Sequence, residues 1–343
     1  MALLQHGSGH RGVRTMRKRK LKKPSLINLL ALILAALAIL ILSACELITP
    51  KPEAPTIHAL VISLDYKNTS VTDLDGTIRD AKELNAALQT LGSRMGTNVQ
   101  ETLMLQEGTA LLYNDPLYPT KTHILDTLAA FAADEDIKPT DIFMLYYSGH
   151  GIGSAFDTED PDRGNLVTAR PDNTTAYQTI SIQEIKDALQ AIDATKLLMV
   201  DACYSGHFVT EYPLTNQMRV VLGSGYDPNL YYLTAASDVQ LSYESDLDGY
   251  GNHGYFTYFL LEALGWDHTL GSEIVTSGII TQVGGAIPEE GAIPVLKNSK
   301  IQVTDIYNYI RDSIKDKLNI LFRQTPQTGK GPMDLILFDS TWK

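Results

Sequence analysis

Short, mostly apolar runs alternate with segments of helical periodicity along most of this chain. The runs that predict strands are 57–64, 99–105, 141–147, 197–200, 230–235 and 333–338. The segments with helical spacing are 77–91, 122–131, 182–192, 255–264 and 303–318. Strands that are apolar on both faces and are separated by helices are typical of a parallel sheet covered on both sides. The sequence therefore predicts an α/β fold, with a mostly parallel six-stranded sheet flanked by helices on both faces.

The first 45 residues have a different character. A basic stretch, 17–23, precedes a 17-residue apolar run, 26–42, and the run ends in LSAC, with Cys45 last. A basic flank, an apolar run and small residues are the parts of a secretory signal. LSAC resembles the bacterial lipobox, whose cysteine is lipidated and becomes the first mature residue. The alternative is an uncleaved anchor, because 17 residues lie at the short limit of a membrane span.

Both alternatives place the body of the protein outside the cytoplasm and tether it to a membrane. We expect a lipid-anchored protein of the bacterial cell envelope, translated from Met16 rather than Met1. Residues 46–56 contain Pro50, Pro52 and Pro55 and are expected to form an extended tether. Residues 57–343 then form the globular domain.

The charge of the chain is unevenly distributed. Residues 1–45 contain eight Lys or Arg and no acid, so the other 20 bases and all 40 acids lie in 46–343, a net charge of −20. A body this acidic repels phosphates, which argues against nucleic acid as a partner. Its field favours basic partners.

The chain has two cysteines, Cys45 and Cys203. Two cysteines do not make a structural zinc site, which needs four ligands at close spacing. Because Cys45 lies in the signal segment, we expect Cys203 to be a free thiol. Core packing and nucleophilic chemistry are the two interpretations of such a thiol.

Cys203 and His150 each follow a predicted strand by three residues. Ligands bind beyond the carboxyl ends of parallel strands, and strands that are neighbours in sequence are often neighbours in space. We therefore expect the two side chains at one edge of the sheet. An imidazole that takes the proton of a thiol makes it a strong nucleophile, and flanking glycines let backbone amides approach a substrate carbonyl. Inert packing of both residues is the alternative.

Several segments resemble the caspase-like cysteine peptidases, and metacaspases in particular. They are YYSGHG around His150, DACYSG around Cys203, LDGTIRDAKEL (74–84), LTAASDVQLSYES (233–245), HGYFTYFLLEAL (253–264) and RQTPQ (323–327). The resemblance runs from about residue 57 to 340 in the order of the family. It implies a large-subunit-like part, 57–225, and a small-subunit-like part, 226–343.

The resemblance also implies roles for individual residues. Cys203 would be the nucleophile and His150 the general base, and the reaction would pass through a thioester acyl-enzyme. The amides of Gly151 and Cys203 would bind the oxyanion. The family requires no third carboxylate, and the chain is expected to work without a cofactor or bound metal.

Two acids match the metacaspase specificity pattern, Asp80 and Asp201. Metacaspases cleave after arginine or lysine, so this match implies protein or peptide substrates with a basic residue at the cleavage site. A carboxylate about 4 Å from a cation gains about 4 kcal/mol at an effective dielectric near 20, before desolvation. The pattern alone favours a different role for Asp80, an exposed acid in the first turn of a helix.

Calcium activation is a separate question. The loops 157–165 and 244–252 are rich in acids, as are the calcium sites of some metacaspases, but neither has EF-hand spacing. Solvated turn acids are the favoured interpretation. Self-cleavage between the two halves is common in the family, and Arg170, Lys196 and Arg219 are candidates by residue type.

Two further functions stay open at this point. One is a caspase-fold scaffold or sensor without turnover. The other is a related thiol hydrolase or transpeptidase on the same fold.

Overall fold

The structure is a computed structural model that describes residues 52–153, 162–172, 177–210, 229–247, 249–268, 293–317, 323–329 and 334–342. The predicted signal segment with Cys45, residues 46–51 of the tether and Arg219 lie outside these ranges. Among the helices of the described ranges, none is both long and apolar enough to cross a membrane.

Strands and helices alternate along the described chain. The strands are β1 (Ile57–Leu64), β2 (Val99–Gln106), β3 (Ile142–Ser148), β4 (Leu166–Thr168), β5 (Gln178–Ile180), β6 (Thr195–Asp201), β7 (Leu230–Thr234), β8 (Glu244–Asp246), β9 (Asn252–Gly254), β10 (Leu296–Lys297), β11 (Lys300–Gln302), β12 (Gln327–Thr328) and β13 (Ile336–Asp339). The helices are α1 (Thr77–Met95), α2 (Lys121–Ala132), α3 (Ile182–Gln190), α4 (His207–Thr210), α5 (Tyr255–Ala263) and α6 (Val303–Lys317).

The main sheet has six strands in the order β12-β7-β6-β3-β1-β2. All neighbours in it are parallel except β12, which runs antiparallel to β7. The prediction of a mostly parallel six-stranded sheet is confirmed. Five of its strands are the first five apolar runs of the sequence.

The prediction for the sixth strand is wrong. The apolar run 333–338 was expected in the main sheet, but β13 pairs with β11 in a separate three-stranded sheet. The edge position belongs to β12, which is two residues long. Two residues have no periodicity to detect, and an apolar run has the same pattern in either sheet.

Apolar packing covers both faces of the main sheet. Alternate residues of β1 point to opposite sides, as strand geometry requires. Ile57, Ala59 and Val61 belong to a core shared with α1, α5 and α6, whereas Leu60 and Ile62 belong to one shared with α2 and α3. The predicted helices on both faces are therefore present.

Sequence signals also explain where helices begin and end. Helix α1 ends at Gly96, whose φ of 74° is a left-handed conformation that glycine adopts without strain. Helix α3 begins with a capping box, in which Ser181 and Glu184 each satisfy a backbone amide of the other.

The pairing of β3 with β6 determines where the predicted site residues lie. The two strands are adjacent and parallel, and Ser148 at the end of β3 pairs with Asp201 at the end of β6. The amide of Gly149 extends the ladder by donating to the carbonyl oxygen of Asp201 at 3.2 Å. His150 and Cys203 therefore each follow their strand by two residues, at the same level of the same edge.

Candidate active site

His150 and Cys203 line one pocket at the carboxyl edge of the main sheet, together with Asp201. Cys203 is a free, half-buried cysteine. The two chain segments touch directly, because a Cβ on Gly151 would overlap the carbonyl oxygen of Cys203. Only glycine allows this approach of the two backbones.

The ring of His150 has a defined tautomer. Its Nε2 lies 2.7 Å from the carbonyl oxygen of Thr72, an atom that can only accept a hydrogen bond. Nε2 therefore carries the proton in the neutral ring. Nδ1 then holds the lone pair and is the atom that can accept a proton.

Tyr66 holds His150 in place. Its hydroxyl accepts a hydrogen bond from the His150 amide at 2.9 Å, and its ring lies against the imidazole with centroids 4.7 Å apart. The same hydroxyl donates to Val167 and lies 2.9 Å from the Tyr147 hydroxyl. Position 149 has to be glycine for this packing, because a Cβ there would overlap the Tyr66 hydroxyl.

The pKa shifts of the Cys203 thiol and the His150 imidazole both favour the neutral forms of these groups. Burial raises the pKa of Cys203 above the usual thiol value. The protonated thiol also donates from Sγ to the carbonyl oxygen of Ser242 at 3.6 Å, a bond that a thiolate could not make. Burial also lowers the pKa of His150, against smaller effects of the Thr72 carbonyl and Glu244. The two side chains line the same pocket, and among the described residues no direct hydrogen bond joins them.

The two residues whose amides are expected to bind an oxyanion, Gly151 and Cys203, are in backbone contact. Gly151 packs against the backbone of Cys203. Among the described residues, the Gly151 amide has no hydrogen-bond acceptor, and the Cys203 amide has only its own thiol. Both N–H groups can therefore bind an oxygen that develops negative charge.

Asp201 forms part of the pocket wall. One carboxylate oxygen accepts from the Ser242 hydroxyl at 2.7 Å. The other accepts from the amide and hydroxyl of Thr257, at 3.2 Å and 2.8 Å. These three donors hold the carboxylate in one orientation.

Asp80 lies behind the pocket wall and is fully buried. The expectation of an exposed helix acid, which the pattern alone favoured, is wrong. Its carboxylate accepts from Nδ1 of His253 at 2.7 Å and from the amide of Gly254 at 3.0 Å. A Cβ on Gly254 would overlap Asp201 and lie 3.2 Å from Asp80, so both acids meet at this glycine.

The two acids share a poorly solvated region. Burial is the main cause that raises the pKa of Asp80 well above its usual value, and the nearby Asp201 carboxylate adds to the shift. Burial also raises the pKa of Asp201, against its bonds to Ser242 and Thr257. A cation in the pocket would stabilise the charged form of both groups.

Sequence reasoning missed several residues that build the site. Glu244 lines the pocket and accepts from the amides of Asp75 and Gly76, each at 3.0 Å, so it holds the segment that carries Thr72. Gln324 donates to the Ser242 hydroxyl at 3.2 Å and accepts from the Tyr243 amide at 3.1 Å. Gln324 lies in the quoted RQTPQ stretch, but nothing in that stretch indicates its partners.

The acid-rich segment 244–252 contains β8 and the first residue of β9, and these two strands pair antiparallel. The carboxylate of Asp246 accepts from the amides of Gly249 and Gly251, at 2.6 Å and 3.2 Å. This is the usual role of a turn aspartate. Most of the other acid-rich loop, 157–165, lies outside the described ranges.

Comparisons with known proteins give relatives for part of the chain. It is 32% identical over 108 residues to Metacaspase-2 and to Metacaspase-3 of Trypanosoma brucei brucei. These matches cover 30% of this chain and 27% and 26% of the relatives, so the chain matches about a quarter of their length. Among solved structures, it is similar to the protein GSU0716 from Geobacter sulfurreducens, with 16% identity and a TM-score of 0.46, over 83% of this chain and 99% of that one.

A family model covers far more of the molecule than these relatives do. The model of the caspase domain matches residues 56–330, which include both chain segments of the pocket. The match supports a peptidase type of function, and the mixed sheet with helices on both faces agrees with it. Because this match covers most of the chain, the chain belongs to the caspase-domain family, peptidase C14.

Proposed function

We propose that this protein is a cysteine endopeptidase that cleaves after arginine or lysine, with a Cys203–His150 dyad in a domain spanning 57–343. The observation that carries the proposal is the Thr72–His150 hydrogen bond, which leaves Nδ1 as a base in the pocket that also holds the Cys203 thiol. General base help of this kind contributes about 10²–10⁴-fold in rate.

The proposed reaction has two halves. In the first, the Cys203 proton passes to Nδ1 of His150 while sulfur attacks the scissile carbonyl carbon, and the oxyanion takes hydrogen bonds from the amides of Gly151 and Cys203. The leaving amine then takes the proton from His150, and the C–N bond breaks to give a thioester. In the second half, His150 removes a proton from water as the water oxygen attacks the thioester carbon. The C–S bond then breaks, the acid is released, and His150 returns the proton to the Cys203 sulfur.

The proposed preference for basic residues rests on the charges around the pocket. Asp201 and Glu244 line it, and Asp80 lies directly behind. A guanidinium or ammonium group entering here gains from all three acids, whereas an aspartate side chain is repelled. The two halves of the domain, 57–225 and 226–343, both contribute acids to this pocket.

Peptide profiling tests the proposal. Fluorogenic peptides ending in Arg, Lys or Asp are incubated with the wild-type chain and with Cys203→Ala. We expect turnover of the Arg and Lys peptides by the wild type alone. Preferred cleavage of the Asp peptide would contradict the specificity, and equal turnover by Cys203→Ala would contradict the mechanism.

The same assay separates the other two functions. A scaffold or sensor gives no product and no labelling of Cys203 by an active-site thiol probe. A transpeptidase gives ligated products when an acceptor amine is added, because the amine replaces water at the thioester.

Addition of Ca²⁺ or of a chelator to the same assay tests calcium activation. Unchanged cleavage rates would agree with an enzyme that needs no cofactor.

We also propose that the chain is anchored through a lipid on Cys45 in the bacterial envelope. The sequence pattern LSAC after an apolar run supports this. Mass spectrometry of the mature protein should find a lipidated N-terminal Cys45. A mature chain that begins before residue 45 would contradict it.

A further inference from the structure

A second cluster of polar side chains lies behind Asp80, away from the pocket. It consists of Glu83 on α1, His253 on β9 and His268, which follows α5. All three are buried, and one ligand-type atom from each lies within 4.8 Å of the other two. The cluster is not required by the proposed peptidase chemistry.

The atoms that face one another here are acceptors. Glu83 Oε2 lies 3.8 Å from His253 Nε2 and 3.8 Å from His268 Nδ1, distances too long for hydrogen bonds. Within the described part of the chain, Glu83 Oε2 and His268 Nδ1 are buried and have no hydrogen-bond partner. Leaving such atoms unpaired costs about 1–3 kcal/mol each.

The surroundings of each histidine determine which nitrogen carries its proton. His268 Nε2 lies 3.3 Å from the carbonyl oxygen of Tyr258, and its ring stacks on the Tyr258 ring at 4.0 Å. His253 Nδ1 donates to the Asp80 carboxylate at 2.7 Å. In each ring the other nitrogen, the one directed at Glu83, therefore holds the lone pair.

The carboxylate of Glu83 is oriented in the same way. Arg79 donates from Nε to its Oε1 at 2.8 Å, which leaves Oε2 directed at the two imidazoles. The charged groups around the cluster are the acids Asp80, Glu83 and Asp267 and the cation Arg79. Two imidazole lone pairs and a carboxylate oxygen thus converge in a buried, net negative place.

We propose that Glu83, His253 and His268 bind one Zn²⁺ ion, each through a single atom. Two imidazoles and a carboxylate are a ligand set that zinc accepts, with bonds of about 2.0–2.2 Å and a water in the fourth position. Such bonds give ligand atoms about 3.4 Å apart in a tetrahedral site. Glu83 Oε2 lies 3.8 Å from each imidazole nitrogen and has to approach each by a few tenths of an ångström. The two imidazole nitrogens lie within 4.8 Å of each other, so binding would bring them closer by at most about 1.4 Å.

The proposed ion would have a structural consequence for the pocket. It would join α1, β9 and the segment after α5 through one centre. The Asp80–His253 hydrogen bond is the carboxylate–histidine arrangement that commonly orients a metal-ligating imidazole. Metal binding would in turn hold Asp80 in its place behind Asp201.

The test is metal titration of the full chain carrying Cys203→Ala, which removes the pocket thiol as a competing ligand. After chelator treatment, we expect it to bind one equivalent of Zn²⁺ and to unfold at higher temperature with the metal. Co²⁺ should give visible absorption bands of a low-coordinate nitrogen and oxygen site. Glu83→Gln and His268→Asn should weaken this binding at least tenfold, whereas His123→Asn, a histidine on α2, should not.

Asp80→Asn provides an independent variant, because it removes no ligand. An amide nitrogen facing His253 would favour the tautomer with its proton on Nε2, which cannot bind the metal. We expect a loss of affinity of about 10–100-fold, typical of such supporting residues. The proposal is overturned if the parent chain binds no equivalent, or if Glu83→Gln binds as tightly as the parent. Peptidase activity can fail without affecting this titration, so the two proposals are tested separately.

Discussion

The Nε2 atom of His150 donates a hydrogen bond of 2.7 Å to the carbonyl oxygen of Thr72, 78 residues earlier in the chain. The contact assigns the proton of the neutral ring to Nε2 and leaves the lone pair on Nδ1, the atom that can accept a proton. In the proposed dyad, the Thr72 carbonyl would orient the imidazole as a carboxylate does in triads, without adding a charge. Glu244 holds the segment that provides it.

Replacing either member of the proposed dyad should abolish efficient cleavage. We expect His150→Ala to lower kcat/KM for an Arg peptide by about 10²–10⁴-fold, the usual contribution of a general base. Cys203→Ala should remove activity above background. His123→Ala is the matched histidine control and should keep the wild-type rate. Loss of less than tenfold in His150→Ala would argue against its role as the base.

The pH dependence of kcat/KM and of Cys203 alkylation should be that of a neutral thiol beside a neutral imidazole. Because burial lowers the pKa of His150, kcat/KM should fall on the acid side only below the pH at which an ordinary histidine protonates. Because burial raises the pKa of Cys203, alkylation by iodoacetamide should accelerate only above the usual thiol range. Fast alkylation that persists in mild acid would reveal a preformed thiolate–imidazolium pair and contradict this prediction.

Asp201→Asn should selectively damage cleavage after basic residues. The asparagine can keep the shape, with its oxygen towards Thr257 and its nitrogen donating to the Ser242 hydroxyl. The lost attraction is at most about 4 kcal/mol, or about 10³-fold, and desolvation reduces it, so we expect a loss of about 10–10³-fold in kcat/KM. The exposed acid Asp193 provides the control, Asp193→Asn. Unchanged Arg and Lys cleavage in Asp201→Asn would remove this residue from the specificity pocket.

Tyr66→Phe should separate positioning from proton transfer. It removes the hydroxyl that accepts from the His150 amide, and leaving that amide unpaired costs about 1–3 kcal/mol of unfolding free energy. We expect a lower kcat with little change in KM, and an unchanged pH profile, because Thr72 still assigns the imidazole proton. Tyr177→Phe alters an exposed tyrosine and should have no effect in chemical denaturation or kinetics. A shifted pH profile in Tyr66→Phe would show that the hydroxyl acts on the base itself.

Much of the fold follows from local pattern. The first five apolar runs became the parallel strands, and the five helical segments became α1, α2, α3, α5 and α6, with ends shifted by a few residues. Apolar residues recur every two positions in a half-buried strand and about every 3.6 positions in an amphipathic helix. Both patterns involve only residues close together in the sequence, so one sequence is enough to predict these elements. The position of β12 could not be predicted in this way. Its two residues form a strand only by pairing with β7, and this pairing depends on the tertiary structure.

For the site, the sequence by itself determined which residues bear chemistry and that both His150 and Cys203 follow apolar strands. Only the tertiary structure decided that β3 lies beside β6, that Thr72 assigns the imidazole proton and that Asp80 is buried against His253, 173 residues away. The physical reason is that burial, tautomer and pKa depend on atoms brought into contact by packing. Those contacts join residues far apart in the chain, and no local pattern records them.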